Sequence, residues 1–165
     1  TGKLTHWSFA PNWTNAGDTP TRNMSTHVSL LLFDKEMPEN WDFPDIWPPQ
    51  TNLEKIAPFP LGISPKISIP GQVIKVPVGD IELVISGKKF LYLWGWASYF
   101  DVFPRTKKHV TRFAMQIHIG GDPHSTTANQ TSFEYLSISR YNCSDEECDR
   151  QGYPVDWTGR KLVAE

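Results

Sequence analysis

Apolar and polar positions alternate most regularly between Lys89 and Gly120, KFLYLWGWASYFDVFPRTKKHVTRFAMQIHIG. In an extended chain successive side chains point to opposite faces. Phe90, Tyr92, Trp94 and Trp96 therefore share one face of a strand over 88–100, and Leu91, Leu93, Gly95 and Ala97 share the other. Two apolar faces imply burial on both sides, or small residues that receive an aromatic from a neighbouring strand. Val110 to Ile119 alternates more cleanly, with Thr111, Phe113, Met115, Ile117 and Ile119 inward and Arg112, Gln116 and His118 outward. The polar loop between the two runs makes them a hairpin.

The same periodicity predicts further strands. Residues 4–14 (LTHWSFAPNWT) form a mixed strand with Trp7, Phe9 and Trp13 inward, followed by a turn at Gly17 and Asp18. THVSLLLF over 26–33 is a second strand, 72–78 and 79–86 are two more, with Pro77 marking a strand end or sheet edge. SFEYLSISRY over 132–141 alternates again, placing Phe133, Tyr135 and Tyr141 on one face. From Asp34 to Pro70 the pattern breaks: eight prolines fall in that stretch, and only Gln50–Ala57 suits one or two helical turns. A segment this long inside a compact domain packs its own aromatics or carries a function. Seven to eight strands with Pro/Gly punctuation and no sustained helix predict an all-β chain, an antiparallel β-sandwich with one long irregular loop over 34–70. No repeat or second domain interrupts the 165 residues, which suit one domain.

Composition supports this and narrows the partners. Seven Trp and 14 Pro argue against a helical bundle. Sixteen Lys and Arg against 18 Asp and Glu leave a formal charge of −2, so no global field attracts a phosphate backbone. The densest basic cluster, Arg105, Lys107, Lys108 and His109, reads as a solvated turn, and nucleic acid is not an expected partner. No stretch of about twenty apolar residues is present to span a bilayer. Cys143 and Cys148 frame an acidic loop, CSDEEC; a local disulfide, which would imply an oxidising compartment, and two reduced thiols both fit that spacing. The sequons at Asn12, Asn23, Asn129 and Asn142 are of a kind that a Ser/Thr-rich β chain generates by chance.

Candidate chemistry is sparse. His118, Asp122 and His124 lie close in sequence, but a turn pair beside an outward-facing strand end does not supply the converging ligands a zinc site needs, and no metal or cofactor is expected. No nucleophile elbow or phosphate loop occurs, and the paired carboxylates Asp145, Glu146 and Glu147 sit in a turn where water relieves their repulsion. The chain reads as non-enzymatic. Trp41 and Trp47 on the irregular segment are candidates for stacking on a sugar ring; the alternative is that Trp41, Phe43, Ile46 and Trp47 cap one end of a core. Asp101 and His109 lie at opposite ends of the hairpin loop, where a carboxylate–imidazole bond would staple the loop and raise the histidine pKa.

Two pieces of the chain carry a family resemblance. Asn15 to Pro20 (NAGDTP) looks like an N-x-G-x-T-P turn, and Gly95, Tyr99, Asp101, Phe103, His109, Thr111 and Phe113 match a G…Y-x-D-x-F…H-x-T-x-F pattern. Together with the Pro70-Gly71 turn they resemble a broad set of uncharacterised bacterial proteins, anchored in a membrane at the N-terminus, that carry an immunoglobulin-like β-sandwich. This chain departs from them at Pro104, where Gly is usual, and at Ala114, where Cys is common. The resemblance implies a sandwich beside a membrane and no reaction; the extracytoplasmic side is expected in preference to the cytoplasmic one, and a Cys143–Cys148 disulfide would favour it. The expectation is a membrane-tethered domain that binds a protein or small-molecule ligand, with Trp41, Trp47, Asp101 and His109 as candidate contacts and a carbohydrate-binding module as the alternative.

Overall fold

The computed structural model describes residues 4–47, 62–125, 130–157 and 159–163. The helical turns expected at Gln50–Ala57 lie outside them. Its centre is an antiparallel sheet in which β3 (Thr21–Phe33) pairs with β7 (Phe90–Asp101), and β7 with β8 (His109–Gly121). The far side of β8 is shared by β9 (Thr131–Ser137) and the two-residue β10 (Cys143–Ser144). Register runs Val28–Gly95–Phe113 and Ser29–Trp94–Ala114 across the three long strands. Alternation therefore puts Val28, Leu91, Leu93 and Ile117 on one face, and Tyr92, Trp94 and Ala114 on the other, and both sets are buried.

Each face has its own cover. On the first lie two small antiparallel sheets, β1 (His6–Phe9) with β6 (Ile74–Pro77) and β2 (Asn12–Thr14) with β5 (Ser68–Pro70). Helix α1 (Val78–Ile85) packs beside them. On the second face, the chain after β3 brings Trp41 and Phe43 onto Trp94, and β4 (Asp45–Trp47) pairs in parallel with β11 (Lys161–Val163). Tyr141, Tyr153 and Trp157 complete an aromatic layer there. Sheets packed on a sheet make this an all-β sandwich.

Three expectations change. Residues 79–86 are helical: Val78, Ile81, Val84 and Ile85 recur at helical spacing toward the core, and Pro77 needs no N–H at the helix start. Gly87, at φ 71°, ends the helix; its N–H donates to Val84 O and that of Lys88 to Leu83 O, the paired bonds of a Schellman turn. The strand predicted over 132–141 stops at Ser137, and Tyr141 (φ 72°) turns inward to stack on Phe43, 4.4 Å between ring centres. Arg112, expected outward, is 3 % exposed. Its guanidinium lies over Tyr141 and Trp157 (5.6 and 5.1 Å) and donates to the carbonyls of Pro154 and Trp157. The described residues also hold eleven strands, more than the seven or eight expected: Pro11 divides 4–14 into β1 and β2, and β4, β5, β10 and β11 are too short to show periodicity.

Gly95 is a tight point in the middle of the sheet. A Cβ there would collide with the His27 carbonyl oxygen and come 3.0 Å from the Phe113 ring, which crosses over the glycine. Gly79, in α1, has open space at the same position. Gly95→Ala should lower stability by about 1–3 kcal/mol through overpacking, and Gly79→Ala should raise it by about 0.5–1 kcal/mol through helix propensity; urea unfolding midpoints of the two variants check both.

Candidate functional site

The turn after β2 is built around one side chain. Asn15 Nδ2 donates to the carbonyls of Thr19 (2.7 Å) and Ile63 (2.9 Å), while its Oδ1 accepts the Gly17 N–H (3.0 Å). Thr21 holds the same neighbour, its Oγ1 accepting the Ile63 N–H at 2.8 Å. This fixes the turn against the open end of the central sheet, where β7 and β8 project Tyr99, Asp101 and Thr111. Between them lies a cleft of about 310 Å³. Asn15, Gly17 and Thr19 come from one sequence motif and Tyr99, Asp101 and Thr111 from the other, so motifs some eighty residues apart line one cavity. Trp13, Met24 and Ile63 supply apolar wall, and Asp101 is the one charged residue among the lining residues.

Asp101 does not stand alone. His109, its neighbour across the hairpin, bonds through Nε2 to Asp101 Oδ2 (3.1 Å) and through Nδ1 to Asp145 Oδ2 (2.8 Å). Asp145 Oδ1 also accepts the Val110 N–H at 2.9 Å. Both ring nitrogens face carboxylates, which favours the imidazolium: its pKa is raised above 6.5, first by the hydrogen bond to Asp145, with Asp101 adding to it and partial burial opposing. The Tyr99 ring stacks on the imidazole, 5.4 Å between centres and 24° apart. Asp145 reaches this position from the loop closed by the Cys143–Cys148 disulfide, at a strained φ of 47°.

The Asp101–His109 bond was legible in sequence from hairpin pairing alone. Asp145 was not: it reads as one of three solvated turn carboxylates, and nothing local shows that the cystine loop folds back on β8. Trp41 and Trp47 lie on the opposite face of the sheet from the cleft. Trp41 packs edge-on against Phe33 (5.0 Å), and Trp47 stacks on the buried His27 ring (4.0 Å). The structure thus brings Asp101 and His109 together and keeps the two tryptophans apart from them. His118 and His124 turn to different carboxylates, Glu134 (3.9 Å) and Glu82 (2.7 Å), and among the described residues no group of three His, Cys, Asp or Glu is placed to hold a metal ion. Asn142 uses its side chain to bridge Ala114 and Ile138, and Asn12 and Asn23 are exposed.

A second polar group is buried on the far face. The Ile46 N–H donates to Ser29 Oγ (3.0 Å), and the same hydroxyl shares a hydrogen bond with His27 Nε2 (3.0 Å). Burial lowers the His27 pKa to about 4. Asp45 lies nearby with Trp96 Nε1 donating to its Oδ1 (3.0 Å), and burial raises its pKa to about 6, against the pull of that bond, Arg112 and Lys161. The two titrations oppose each other. His27 binds its proton more weakly in the fold than when unfolded, so acidification from 6.5 towards 4 destabilises. Asp45 binds its proton more tightly in the fold, so the stability it contributes is full below 3.8 and is lost as pH rises through about 6. Each amounts to roughly 3 kcal/mol, with opposite sign.

Unfolding midpoints across pH should therefore show that Asp45→Asn becomes more acid-sensitive than the parent between pH 6.5 and 4, while His27→Gln gains stability on acidification over the same interval. At the clasp the sign is the reverse of that at His27. Stability from His109 is full below its ordinary 6.5 and is lost as pH rises through the raised folded value. His109→Gln should remove that component, so the unfolding midpoints of the variant should lack the part of the parent's loss of stability that comes as pH rises above 6.5.

The chain matches no family model, curated protein or solved structure.

Proposed function

We propose that this is a non-catalytic binding domain of a membrane-tethered protein, with its ligand seated in the cleft between the Asn15–Thr21 turn and the β7–β8 hairpin. The observation that carries the proposal is the convergence of Asn15, Gly17, Thr19, Tyr99, Asp101 and Thr111 on one cavity of about 310 Å³. That volume suits a small molecule or a single side chain of a larger partner. A wall with one carboxylate and no Lys, Arg or His favours an uncharged or cationic ligand over an anion.

Two features favour binding over catalysis. His109 has both ring nitrogens tied to carboxylates, leaving neither free to take a proton from a substrate. Ser29, the serine bonded to a histidine, is buried beneath the second-face cover and accepts the Ile46 N–H. The disulfide supports an oxidising, extracytoplasmic setting. Membrane tethering rests on the sequence resemblance; among the described residues no helix is long and apolar enough to cross a bilayer.

A carbohydrate is the second reading, and its support lies in the cleft. Threonine hydroxyls, a carboxylate and the Trp13 and Tyr99 rings are groups that engage sugar hydroxyls and ring faces. Trp41 and Trp47 instead have their rings packed on Phe33, Trp94 and His27.

Titrating the protein with a fragment library and a panel of monosaccharides, read by amide and indole chemical shifts, tests both. The expected result is that a bound compound shifts Trp13, Tyr99 and Thr111 together, and that Asp101→Asn weakens it about tenfold, the loss of one charge-assisted hydrogen bond. Fragments binding without sugars would retire the carbohydrate reading. Compounds that bind elsewhere, or none that reach the cleft, would overturn the proposal.

A further inference from the structure

The central sheet has outer edges at β3 and at β9. At β3 the Thr21 N–H donates to Ile63 O and the strand bulges between Arg22 and Ser25. The β9 edge shows neither feature. It pairs with β8 in one unbroken register from Thr131–Gly121 to Ser137–Met115. The bonds that extend this ladder, Asp122 N–H to Gln130 O (2.9 Å) and Ile138 N–H to Ala114 O (3.0 Å), fix which residues of β9 face β8. In an antiparallel pair alternate residues turn their backbone groups away. Gln130, Ser132, Glu134, Leu136 and Ile138 therefore bond inward, and the N–H and C=O groups of Thr131, Phe133, Tyr135 and Ser137 point outward. No backbone partner meets these groups among the described residues.

Edges of this kind are ordinarily blunted by proline, a bulge or charged side chains, lysine above all. The sequence TSFEYLS has no proline or lysine, its register is unbroken, and Glu134 is its one charge. Beside the open backbone row, Phe133, Tyr135 and Leu136 are 38, 57 and 38 % exposed. Phe133 is held in place by edge contacts with Trp7 (5.6 Å) and Phe9 (6.3 Å), so the edge is rigid on that face.

We propose that the β9 edge is a docking site for an extended segment of a partner protein, which adds to the central sheet as a further strand. Main-chain bonds to Phe133 and Tyr135 supply the attachment, and side-chain pairing sets the choice of segment. Residues opposite Phe133 and Tyr135 lie on the face those rings occupy and should be apolar, and the residue opposite Glu134 should be Lys or Arg. The same charge selects against a second copy of this chain. Antiparallel self-pairing with full overlap would join Thr131 to Ser137 and Phe133 to Tyr135, and would set Glu134 directly against Glu134. Like charges directly opposite destabilise such a pair. This surface is separate from the cleft, and neither proposal depends on the other.

The probe is a short blocked peptide that alternates valine and threonine around a central lysine, added to the full chain, with amide hydrogen exchange read residue by residue. Exchange at Phe133, Tyr135 and Ser137 should slow about tenfold with peptide near saturation, while Ser132, Glu134 and Leu136, already bonded to β8, should be unchanged. Replacing the central lysine by glutamate should weaken binding about fivefold, and Glu134→Lys should reverse the preference. Tyr135→Pro removes an outward N–H without touching the β8 ladder, so it should fold and fail to bind. Should that variant unfold, the Glu134→Lys reversal still decides. Equal binding of the lysine and glutamate peptides, or protection of inward and outward amides alike, would overturn the proposal. Sedimentation showing that the chain dimerises with the same amides protected would also overturn it in favour of a second copy.

Discussion

Burial of β7 on both faces is the constraint from which the rest of the structure follows. A strand reading FLYLWGWASYFD cannot leave either side in water, so the protein must build two covers, one for Leu91 and Leu93 and another for Tyr92 and Trp94. The first is assembled from small sheets and α1, the second from irregular chain rich in aromatics. Gly95 lets these demands coexist, because Phe113 and the β3 backbone close in on it from both neighbouring strands. The aromatic layer on the second face in turn makes a place for Arg112, whose charge is held between ring faces and carbonyl oxygens.

The clasp at His109 joins the two ends of the β7–β8 hairpin to a loop remote in sequence. Asp101 belongs to the cleft wall, His109 begins β8, and Asp145 lies in the cystine loop. One imidazole ring, bonded to both carboxylates, thereby couples the loop's position to the cleft wall. The buried His27 and Asp45 pair shows the complementary case: here burial dominates, and each group sits on the neutral-favouring side of its ordinary range. Charged clasp at the rim and neutral-leaning groups beneath the cover follow from how much water each retains.

How far the residues speak for themselves depends on how local the signal is. Trp94 and Leu93 announce their opposite faces because period two is written in adjacent positions. The Asp101–His109 bond is nearly as local, since a hairpin brings its two ends together. Arg112 and Tyr141 defeat such reasoning: a charge on an alternating strand points to solvent until another segment covers that face, and an aromatic four residues beyond a strand looks like its continuation. Residues 79–86 alternate well enough to pass for a strand, and the helix prevails because Val78, Ile81, Val84 and Ile85 meet the core together only at helical spacing.

By itself the sequence determined a β chain with a central hairpin whose first strand is apolar on both faces, and a bond at the hairpin mouth, since these rest on periodicity and hairpin pairing. Only the tertiary structure decided that the NAGDTP turn and the Tyr99–Asp101 strand end enclose one cleft, that Asp145 completes the clasp, and that β9 is left with an open edge. The reason is physical. Alternation specifies which face a side chain takes, whereas which distant segment covers that face, or leaves an edge bare, is settled by the competition of all segments for the same buried surface.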